Sequence, residues 1–386
     1  MDVHVLRQQM PPLKDRVYLN TGTSGPVPLD AARAGEELLQ LIVNEGFATP
    51  KVMEAYMRAL DHAREAIARV IGASTSDIAL THSASEGIGT VAAGIDWRPG
   101  DEVIISDLEH ISGIAPWTIL ARSRGVKIVN LQSVGGNLSG RQIEDAITDS
   151  TRLICISHVS YATGAELPVK EVCAIARQRG VMVVIDGAQS AGHVPIDVEE
   201  IGCDFYALPG QKWLLGHEGT GGLFVSQSAL SRLEPSRIGW ASLSHEDATQ
   251  QEVSLHAGAR RFETGTVHAP AFATLTASIG MLESIGWDQI FARAKSLANM
   301  ARTHLAEIDG VEIVTPQERA TGLLTFALRG VEPSRVVRHL WERCRVIIRS
   351  IPHPAALRAS FHAFNNEEDV RRLVDGVKSA AIELRG

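Results

Sequence analysis

The sequence predicts an α/β protein built on a mainly parallel sheet of seven strands, followed by a smaller α+β unit at the C-terminus. Between about residue 60 and residue 225, short apolar runs rich in Val and Ile alternate with longer amphipathic stretches. Several of these runs show no alternation of apolar and polar residues, which is typical of strands covered by helices on both faces. After residue 270 the rhythm changes to long helical stretches and a few separate strands.

Seven apolar runs bounded by turn residues are predicted to form the larger sheet: Ile78–Leu80, Glu102–Ser106, Lys127–Leu131, Leu153–Ser157, Val181–Ile185, Phe205–Leu208 and Gly221–Val225. Four helical patterns lie between them: Glu86–Gly94, Ile114–Arg124, Gly140–Thr148 and Val169–Arg179. Gly125 and Gly180 each follow a basic residue at the end of one of these helices, as a C-terminal stop does. The repeated order of strand, helix and strand predicts right-handed crossovers between parallel strands.

The C-terminal part is predicted to contain two helices, three strands and a last helix: Phe272–Ser284, Trp287–Ile308, Glu312–Val314, Leu323–Leu328, Val346–Arg349 and Glu367–Leu384. We therefore expect three parts in the chain. Residues 1–30 form an N-terminal segment that joins the small domain, residues 31–270 form the large domain, and residues 271–386 form the small C-terminal domain.

The composition excludes several classes of protein. The 386 residues are 45% hydrophobic and 21% charged, with a formal net charge of -8, which is ordinary for a soluble globular protein and unfavourable for binding a phosphate backbone. No apolar run approaches the roughly 20 residues of a membrane helix. The four cysteines show no paired or metal-ligating spacing, and the N-terminus has no apolar signal segment. We expect a cytoplasmic protein that binds neither nucleic acid, nor membrane, nor a metal ion.

Two polar side chains follow neighbouring strands of the predicted sheet. Asp186 comes directly after Val181–Ile185, and Lys212 follows Phe205–Leu208 in the segment Pro209-Gly210-Gln211-Lys212. In such sheets, ligands lie beyond the carboxyl ends of the strands. The spacing therefore predicts that this carboxylate and this amine share one edge of the sheet; the alternative is a pair of solvated loop residues.

Further polar residues are predicted at the same edge. The segment Thr81–Gly87 begins a helix with serines and small residues, and the free N–H groups of a helix start can bind a phosphate. Asp107–His110 follows another strand, and Gly216–Gly222 follows the lysine segment. An imidazole, a carboxylate, a lysine and an anion-binding turn together are what pyridoxal phosphate requires.

Six motifs in this order resemble those of aminotransferase class V, a family of fold-type I enzymes that depend on pyridoxal 5′-phosphate (PLP): Glu109-His110, His158-Val159-Ser160, Asp186-Gly187-Ala188-Gln189, Gly210-Gln211-Lys212, Arg261-Phe262-Glu263-Thr264-Gly265-Thr266 and Leu357-Arg358-Ala359-Ser360. The family includes cysteine desulfurases, C–S lyases and isopenicillin N epimerase. The resemblance extends from Tyr18 to the last helix. It implies the fold-type I architecture, with a large domain on a seven-stranded, mainly parallel sheet.

The resemblance implies four contacts with the cofactor ring. Lys212 is similar to the lysine that carries the cofactor covalently. Asp186 is similar to the carboxylate that keeps the pyridine nitrogen protonated, so that the ring can accept electrons from Cα. His110 resembles the residue stacked on the ring, and Gln189 resembles the donor to its phenolic oxygen.

The resemblance also implies phosphate contacts from Ser85, from the backbone of Glu86 and from Gln211, which stands where relatives often have a phosphate-binding His. Thr266 resembles a residue that reaches the phosphate of the partner subunit, which implies a homodimer with a shared active site. Arg358 matches the arginine that binds the substrate carboxylate, a task suited to a planar bidentate donor.

Two further substrate contacts are expected from less specific features. Asn20 begins the glycine-rich segment Asn20–Gly25, which we interpret as a loop near the cofactor entrance. Tyr161 stands where desulfurases usually have Asn. Whether Tyr161 contacts the phenolic oxygen or packs over or beside the ring stays open.

The function predicted is β-elimination at a C–S bond of cystine or an S-substituted cysteine, a small amino-acid substrate. Desulfurases need a nucleophilic Cys on the loop before the carboxylate-binding arginine, and Arg349-Ser350-Ile351-Pro352-His353-Pro354 contains none. This Ile-Pro-x-Pro loop is more similar to that of cysteine/cystine C–S lyases. Transamination, epimerisation and decarboxylation coupled to deamination stay open as alternatives, and a non-catalytic scaffold protein is a third reading. The side chain of the substrate and the pathway do not follow from the sequence.

One glycine-rich segment fits a different cofactor-binding motif. Gly87–Ala92 fits the GxGxxA pattern of a dinucleotide-binding fold, with Asp107 where an acidic residue would be expected. The turn from Leu80 to Gly87 is too long for the tight bend of that motif, so we reject a dinucleotide-binding site here.

Four histidines are candidate neighbours of the active site, with a surface or core position as the alternative: His217, His256, His268 and His353.

Overall fold

The structure is a computed structural model that describes residues 3–385. This part of the chain contains fifteen strands: β1 Val17–Tyr18, β2 Ile78–Thr81, β3 Glu102–Ser106, β4 Lys127–Leu131, β5 Thr151–Ser157, β6 Met182–Asp186, β7 Phe205–Pro209, β8 Gly221–Val225, β9 Leu243–Asp247, β10 Glu252–Leu255, β11 Val311–Ile313, β12 Leu323–Leu328, β13 Val346–Ile347, β14 Arg349–Ile351 and β15 Ala356–Ser360.

The same residues contain twelve α-helices: α1 Val3–Gln8, α2 Leu29–Glu45, α3 Pro50–Ile71, α4 Ala84–Gly94, α5 Ala115–Arg124, α6 Gly140–Ala146, α7 Val169–Gln178, α8 Val198–Ile201, α9 Ala269–Ile285, α10 Trp287–Ala306, α11 Pro333–Cys344 and α12 Glu367–Glu383. The sequence patterns do not predict α1, α2, α3, α8, α11 or the β9–β10 hairpin. They predict the remaining seven helices to within a few residues at each end.

All seven predicted strands of the large sheet are confirmed, in the order β2-β8-β7-β6-β5-β3-β4. The strands from β7 through β6, β5 and β3 to β4 run parallel, whereas β8 is antiparallel to both β2 and β7. Every residue of β6, β7 and β8 is buried, which explains why these strands show no polar alternation. The sheet is therefore mainly parallel, and its loops beyond β6 and β7 open at one edge.

Two hydrophobic clusters cover the two faces of this sheet. On one face, Ile67 of α3 and Val172 of α7 pack in the same cluster as Ile185 of β6. On the other face, Ile88 of α4 lies in the cluster that contains Val184. Neighbouring residues of β6 thus point to opposite clusters, and both faces of the sheet are removed from water.

The C-terminal part contains an antiparallel sheet of order β11-β12-β15-β14. The prediction of one strand over Val346–Arg349 is wrong: β13 pairs with β1, whereas β14 begins at Arg349 and pairs with β15. Strand β15 is not predicted by the sequence patterns, although all five of its residues are buried. Arg358 and Ser360 interrupt its apolar run, so its burial is visible only in the folded chain.

The N-terminal segment and α9 show how the two parts of the chain meet. Because β1 pairs with β13, Val17 and Leu19 are buried in the C-terminal core. Helix α9 instead buries Phe272 and Leu275 in a core of the large sheet. The division of the chain at residues 30 and 270 stays a prediction. Across residues 3–385, none of the helices combines the length and the hydropathy that crossing a bilayer requires.

Candidate active site

The carboxyl ends of β6 and β7 lie at a cavity of about 230 Å³. Eight of the predicted site residues line it: Ser85, His110, Tyr161, Asp186, Gln189, Gln211, Lys212 and Arg358. Three others, Asn20, Glu86 and Thr266, are not among its lining residues. The structure thus brings residues from distant parts of the chain together at the predicted edge of the sheet.

Asp186 and Lys212 place a buried carboxylate and a half-buried amine at this edge. Asp186 is the last residue of β6, and Lys212 lies in the loop after β7. Burial raises the pKa of Asp186, and the charge of Lys212 opposes that rise. Burial lowers the pKa of Lys212 to about 8, although the carboxylate of Asp186 opposes this change. The Lys212 amine therefore releases its proton more easily than an ordinary lysine.

His110 is held as a neutral ring. Its Nδ1 accepts a hydrogen bond from the backbone N–H of Ser112 at 3.3 Å, so the proton of the neutral imidazole is on Nε2. Burial lowers the pKa of His110 to about 4, and the charge of Lys212 acts in the same direction. The ring of Tyr161 stands edge-on to the imidazole, with centroids 5.0 Å apart and an interplanar angle of 86°. Tyr161 thus packs beside His110 at the cavity.

Glu109 places a second buried carboxyl next to this group. Its Oε1 accepts a hydrogen bond from Ser106 Oγ and its Oε2 accepts one from Ser157 Oγ, both at 2.6 Å. Ser157 is paired in register with Asp186 across β5 and β6. Burial raises the pKa of Glu109 to about 7, and the charge of Asp186 acts in the same direction. The sequence motif contains Glu109 but does not indicate that its carboxyl is buried here.

The start of α4 places Ser85 at the cavity but turns the side chain of Glu86 elsewhere. The backbone N–H of Glu86 donates to Ser83 Oγ at 3.2 Å and so completes the N-cap of the helix. The Glu86 carboxylate accepts a hydrogen bond from the backbone N–H of His82 at 2.7 Å and lies 3.6 Å from the guanidinium of Arg237. A role of the Glu86 backbone in phosphate binding stays a prediction.

The side-chain amide of Gln189 is oriented by two hydrogen bonds. Its Nε2 donates to the carbonyl of Gly22 at 2.8 Å, and its Oε1 accepts from Trp213 Nε1 at 3.0 Å. The backbone carbonyl of Gln211 accepts a hydrogen bond from the backbone N–H of Gly25 at 2.7 Å. Its side-chain Oε1 is buried without a partner in the described part of the chain.

Two arginines face each other across the small sheet. Arg349 of β14 and Arg358 of β15 are directly opposite in register, and both line the cavity. Both guanidiniums donate to Thr23 Oγ1, Arg358 at 3.1 Å and Arg349 at 3.5 Å. Arg358 also donates to the carbonyl of Tyr161 at 3.3 Å, and its Nε is buried without a partner. Burial and the charge of Arg349 lower the pKa of Arg358 to about 9.

Neither of these arginines forms an ion pair with a carboxylate of residues 3–385. Like charges directly opposite each other on adjacent strands destabilise a sheet. Arg358 is also buried without an anionic partner, which adds to that cost, whereas Arg349 is half-buried. The pair therefore favours an anion in the cavity.

Thr23 is a site residue that the sequence patterns do not identify individually. Its hydroxyl donates to Asn20 Oδ1 at 2.7 Å while it accepts from the two arginines. Asn20 thus acts on the cavity through Thr23 rather than by lining it. The only sequence signal was the glycine-rich character of the loop that contains both residues.

The remaining predicted residues lie outside this cavity. Thr266 is exposed in the loop before α9. His217 and His268 line a separate cavity beside α2 and α9, and neither His256 nor His353 is among the residues that line the cavity at Lys212. A place for any of these four histidines near the active site stays a prediction.

A model of the family named aminotransferase class V matches residues 17–373. The chain belongs to the aminotransferase class V family. It is 33% identical to a probable cysteine desulfurase of Methanothermobacter thermautotrophicus, over 97% of each protein. It is 31% identical to the isopenicillin N epimerase of Streptomyces clavuligerus, over 94% of each.

Solved structures of the same family agree with this fold. A complex of the cystine C–S lyase C-DES with its reaction product cysteine persulfide has a TM-score of 0.91 and 26% identity, covering 98% of this chain and 100% of that chain. A C-DES variant with glycine covalently linked to its PLP cofactor has a TM-score of 0.92 and 26% identity, covering 96% and 98%. This class V protein is accordingly a PLP-dependent enzyme, a lyase or a transferase, with the fold-type I architecture.

The residues at the cavity fit PLP. A covalent attachment needs an amine of lowered pKa, which Lys212 supplies, and a pyridinium needs a buried carboxylate, which Asp186 supplies. The unpartnered Gln211 Oε1 and Arg358 Nε show that this buried polar site is not saturated by the described protein groups. The donor set of the class V site therefore has room for a polar, anionic ligand.

Proposed function

We propose that this class V enzyme is a C–S β-lyase that acts on cystine or another S-substituted cysteine and releases a thiol or persulfide, a keto acid and ammonia. One observation carries this proposal: the β14–β15 hairpin that holds both arginines turns through Pro352-His353-Pro354-Ala355, without a cysteine. A desulfurase would need its nucleophilic thiol at this turn.

The cysteines of the chain offer no substitute for that thiol. Cys155, Cys173 and Cys203 are buried. Burial raises the pKa of Cys155 and of Cys203 well above the usual value of a thiol, and it raises the pKa of Cys173 to about 12. Cys344 ends α11 and packs towards Gly376 of α12, and burial raises its pKa as well. None of the four lines the cavity, so the departing sulfur would leave with the product.

The opposed arginines support a substrate with two anionic groups. Arg358 would bind the carboxylate next to the reacting Cα, since its guanidinium is buried and has an unpartnered Nε. Arg349 would bind a second anion farther along the substrate. Cystine carries two carboxylates, so it matches this pair better than an amino acid with a neutral side chain does.

The protein groups then have separate tasks in the elimination. The bound cofactor withdraws electron density from Cα. Lys212 accepts the Cα proton, because its lowered pKa leaves a useful fraction of the free amine near neutral pH. The electron pair of the Cα–H bond becomes the Cα–Cβ double bond while the Cβ–S bond breaks and sulfur keeps its bonding pair. Hydrolysis of the released enamine gives the keto acid and ammonia.

A homodimer is the assembly we propose for this reaction. Thr266 is exposed and lies outside its own chain's cavity, so it is free to reach the phosphate site of a second copy. The adjacent Gly265 lies beside Trp240, which is 49% exposed, and Ile238 is 60% exposed. An exposed aromatic side chain beside Gly265, with an exposed aliphatic one two residues before it in the chain, is consistent with a contact surface between copies.

Product analysis tests the proposed reaction. Holoenzyme incubated with cystine, S-substituted cysteines and ordinary amino acids should form keto acid and ammonia in amounts equal to the released sulfur compound. Variants with all four cysteines changed to Ser should keep this turnover once it is normalised to folded, cofactor-bound protein. Alanine as the main carbon product would identify a desulfurase instead. Inversion at Cα, amino-group transfer, or an aldehyde with carbon dioxide would each contradict the lyase assignment.

A further inference from the structure

We propose that Trp213 and His193 are positioning residues that hold the amide of Gln189 in the orientation in which it donates to the cofactor. The inference rests on the proposed role of Gln189 as the donor to the phenolic oxygen. It does not depend on which bond of the substrate breaks. Both residues lie outside the set of predicted contacts, and neither lines the cavity.

Trp213 orients the side-chain amide of Gln189 through a hydrogen bond. It follows Lys212 directly in the chain, is fully buried, and donates from Nε1 to Gln189 Oε1 at 3.0 Å. An indole N–H can only donate a hydrogen bond. If the amide turned over, its NH₂ group would face the indole N–H, and two buried donors would lose their acceptors. The indole therefore selects one of the two amide orientations.

His193 fixes the backbone of the same residue. Its Nε2 accepts from the backbone N–H of Gly322 at 2.8 Å, so the ring proton is on Nδ1. That Nδ1–H donates to the carbonyl of Gln189 at 2.7 Å. The imidazole also stacks on the indole of Trp213, with centroids 3.6 Å apart and planes 2° from parallel. Burial lowers the pKa of His193 to about 3, which keeps the ring in this neutral form.

Together these contacts leave one donor of Gln189 for a ligand. Nε2 carries two hydrogens, of which one is donated to the carbonyl of Gly22 at 2.8 Å. The other has no partner among the described residues, and Gln189 is a buried residue that lines the cavity. The orientation selected by Trp213 is thus the one that keeps an N–H group available at the cavity.

The same contacts connect Gln189 to the strand that carries Arg358. Gly322 precedes β12, and its carbonyl accepts from the backbone N–H of Phe361, the residue after β15, at 2.8 Å. A Cβ on Gly322 would lie 2.8 Å from His193 Nε2, so this approach requires glycine. The cofactor donor and the substrate-binding strand are therefore held in one continuous set of hydrogen bonds.

The test uses the pH titration of the cofactor absorbance in the holoenzyme with Trp213→Phe, which keeps an aromatic ring but removes the N–H. A hydrogen bond donated to an oxyanion favours the more negative form of the titrating group. Loss of an ordered donor should therefore raise the titration midpoint by about 0.5 pH unit or more, which is about a threefold gain in proton affinity. Trp117→Phe is the matched control, since Trp117 is equally buried but packs against Trp97 and does not contact Gln189. Its midpoint should stay at the wild-type value.

Two further variants separate the possible failures. Gln189→Leu should raise the midpoint at least as far as Trp213→Phe; an unchanged midpoint here would remove the role of Gln189 itself. A raised midpoint in Gln189→Leu with an unchanged one in folded Trp213→Phe would overturn the positioning role. Should Trp213→Phe fail to fold, His193→Phe decides: it keeps the ring against the indole but loses the bond to the Gln189 carbonyl. A smaller rise than in Gln189→Leu is expected, and an unchanged midpoint in His193→Phe overturns the proposal.

Discussion

The β6–β7 edge of the large sheet and the β14–β15 hairpin of the small sheet supply the two halves of the site by different means. Asp186 ends β6 and Lys212 follows the adjacent parallel strand β7, so their nearness follows from the order of the strands. Arg349 and Arg358 meet because of the register of an antiparallel hairpin, and they also need Thr23 from the N-terminal segment. The half that we propose binds the cofactor is thus a product of topology, whereas the half that we propose binds the substrate is a product of packing between remote segments.

The largest effect is expected at the topological half. Lys212→Ala removes both the covalent attachment and the acceptor of the Cα proton, so turnover should fall by about 10³-fold or more. Lys170→Ala is the control, because Lys170 is exposed and paired with Glu200 at the surface. Borohydride reduction and peptide mapping of the wild type should place the cofactor on Lys212. A label on another lysine would contradict the assignment.

At the packing half, Arg358→Ala should lower kcat/KM. The expected loss corresponds to roughly 2–5 kcal/mol of transition-state binding free energy, as for a buried charge-assisted pair that loses one partner. The cofactor absorbance should not change, since Asp186 and Lys212 stay in place. The exposed Arg335 of α11 provides a control substitution to Ala. If Arg358→Ala kept full kcat/KM, the carboxylate would have to be bound by Arg349 instead.

The effect of Arg349→Ala on turnover is expected to depend on whether the substrate carries a second anionic group. Its kcat/KM for cystine should fall about tenfold, as expected for a lost hydrogen bond to a charged group, with a smaller change for S-methylcysteine. The ligand-free variant should be at least as stable to heat as the wild type, since it relieves the repulsion across β14 and β15. Equal losses with both substrates would argue against a second anion site.

Glu109 is expected to affect the stability of the topological half rather than turnover, because its carboxyl takes up a proton on folding. Its pKa is about 7 in the folded chain and about 4.3 in an unfolded one. The folded state therefore binds the proton more tightly, and the stabilisation is complete below pH ~4.3 and lost as the pH rises towards 7. The free energy of unfolding of the apoprotein, relative to Glu109→Gln, should decrease over this range. The exposed Glu318→Gln should show no such trend relative to the wild type.

The β6–β7 edge could be predicted from the sequence, whereas the β14–β15 hairpin could not. The seven strands and the Asp186–Lys212 edge were accessible from sequence because buried parallel strands give unbroken apolar runs with polar residues at their ends. Strand β15 was not accessible, since Arg358 interrupts the run that burial would otherwise produce. The stretch Val346–Arg349 looks like one strand but joins two different sheets, which no local pattern distinguishes.

By itself, the sequence determined the class of fold, the edge of the sheet that holds the site, and the residue types that PLP needs there. Only the tertiary structure decided that Thr23 meets Arg358, that Trp213 orients Gln189, and that the side chain of Glu86 turns away from the cavity. The physical reason is the range of the contacts. Periodicity reports which face of one element is buried, whereas a hydrogen bond between residues more than 300 positions apart depends on how two sheets and the N-terminal segment pack.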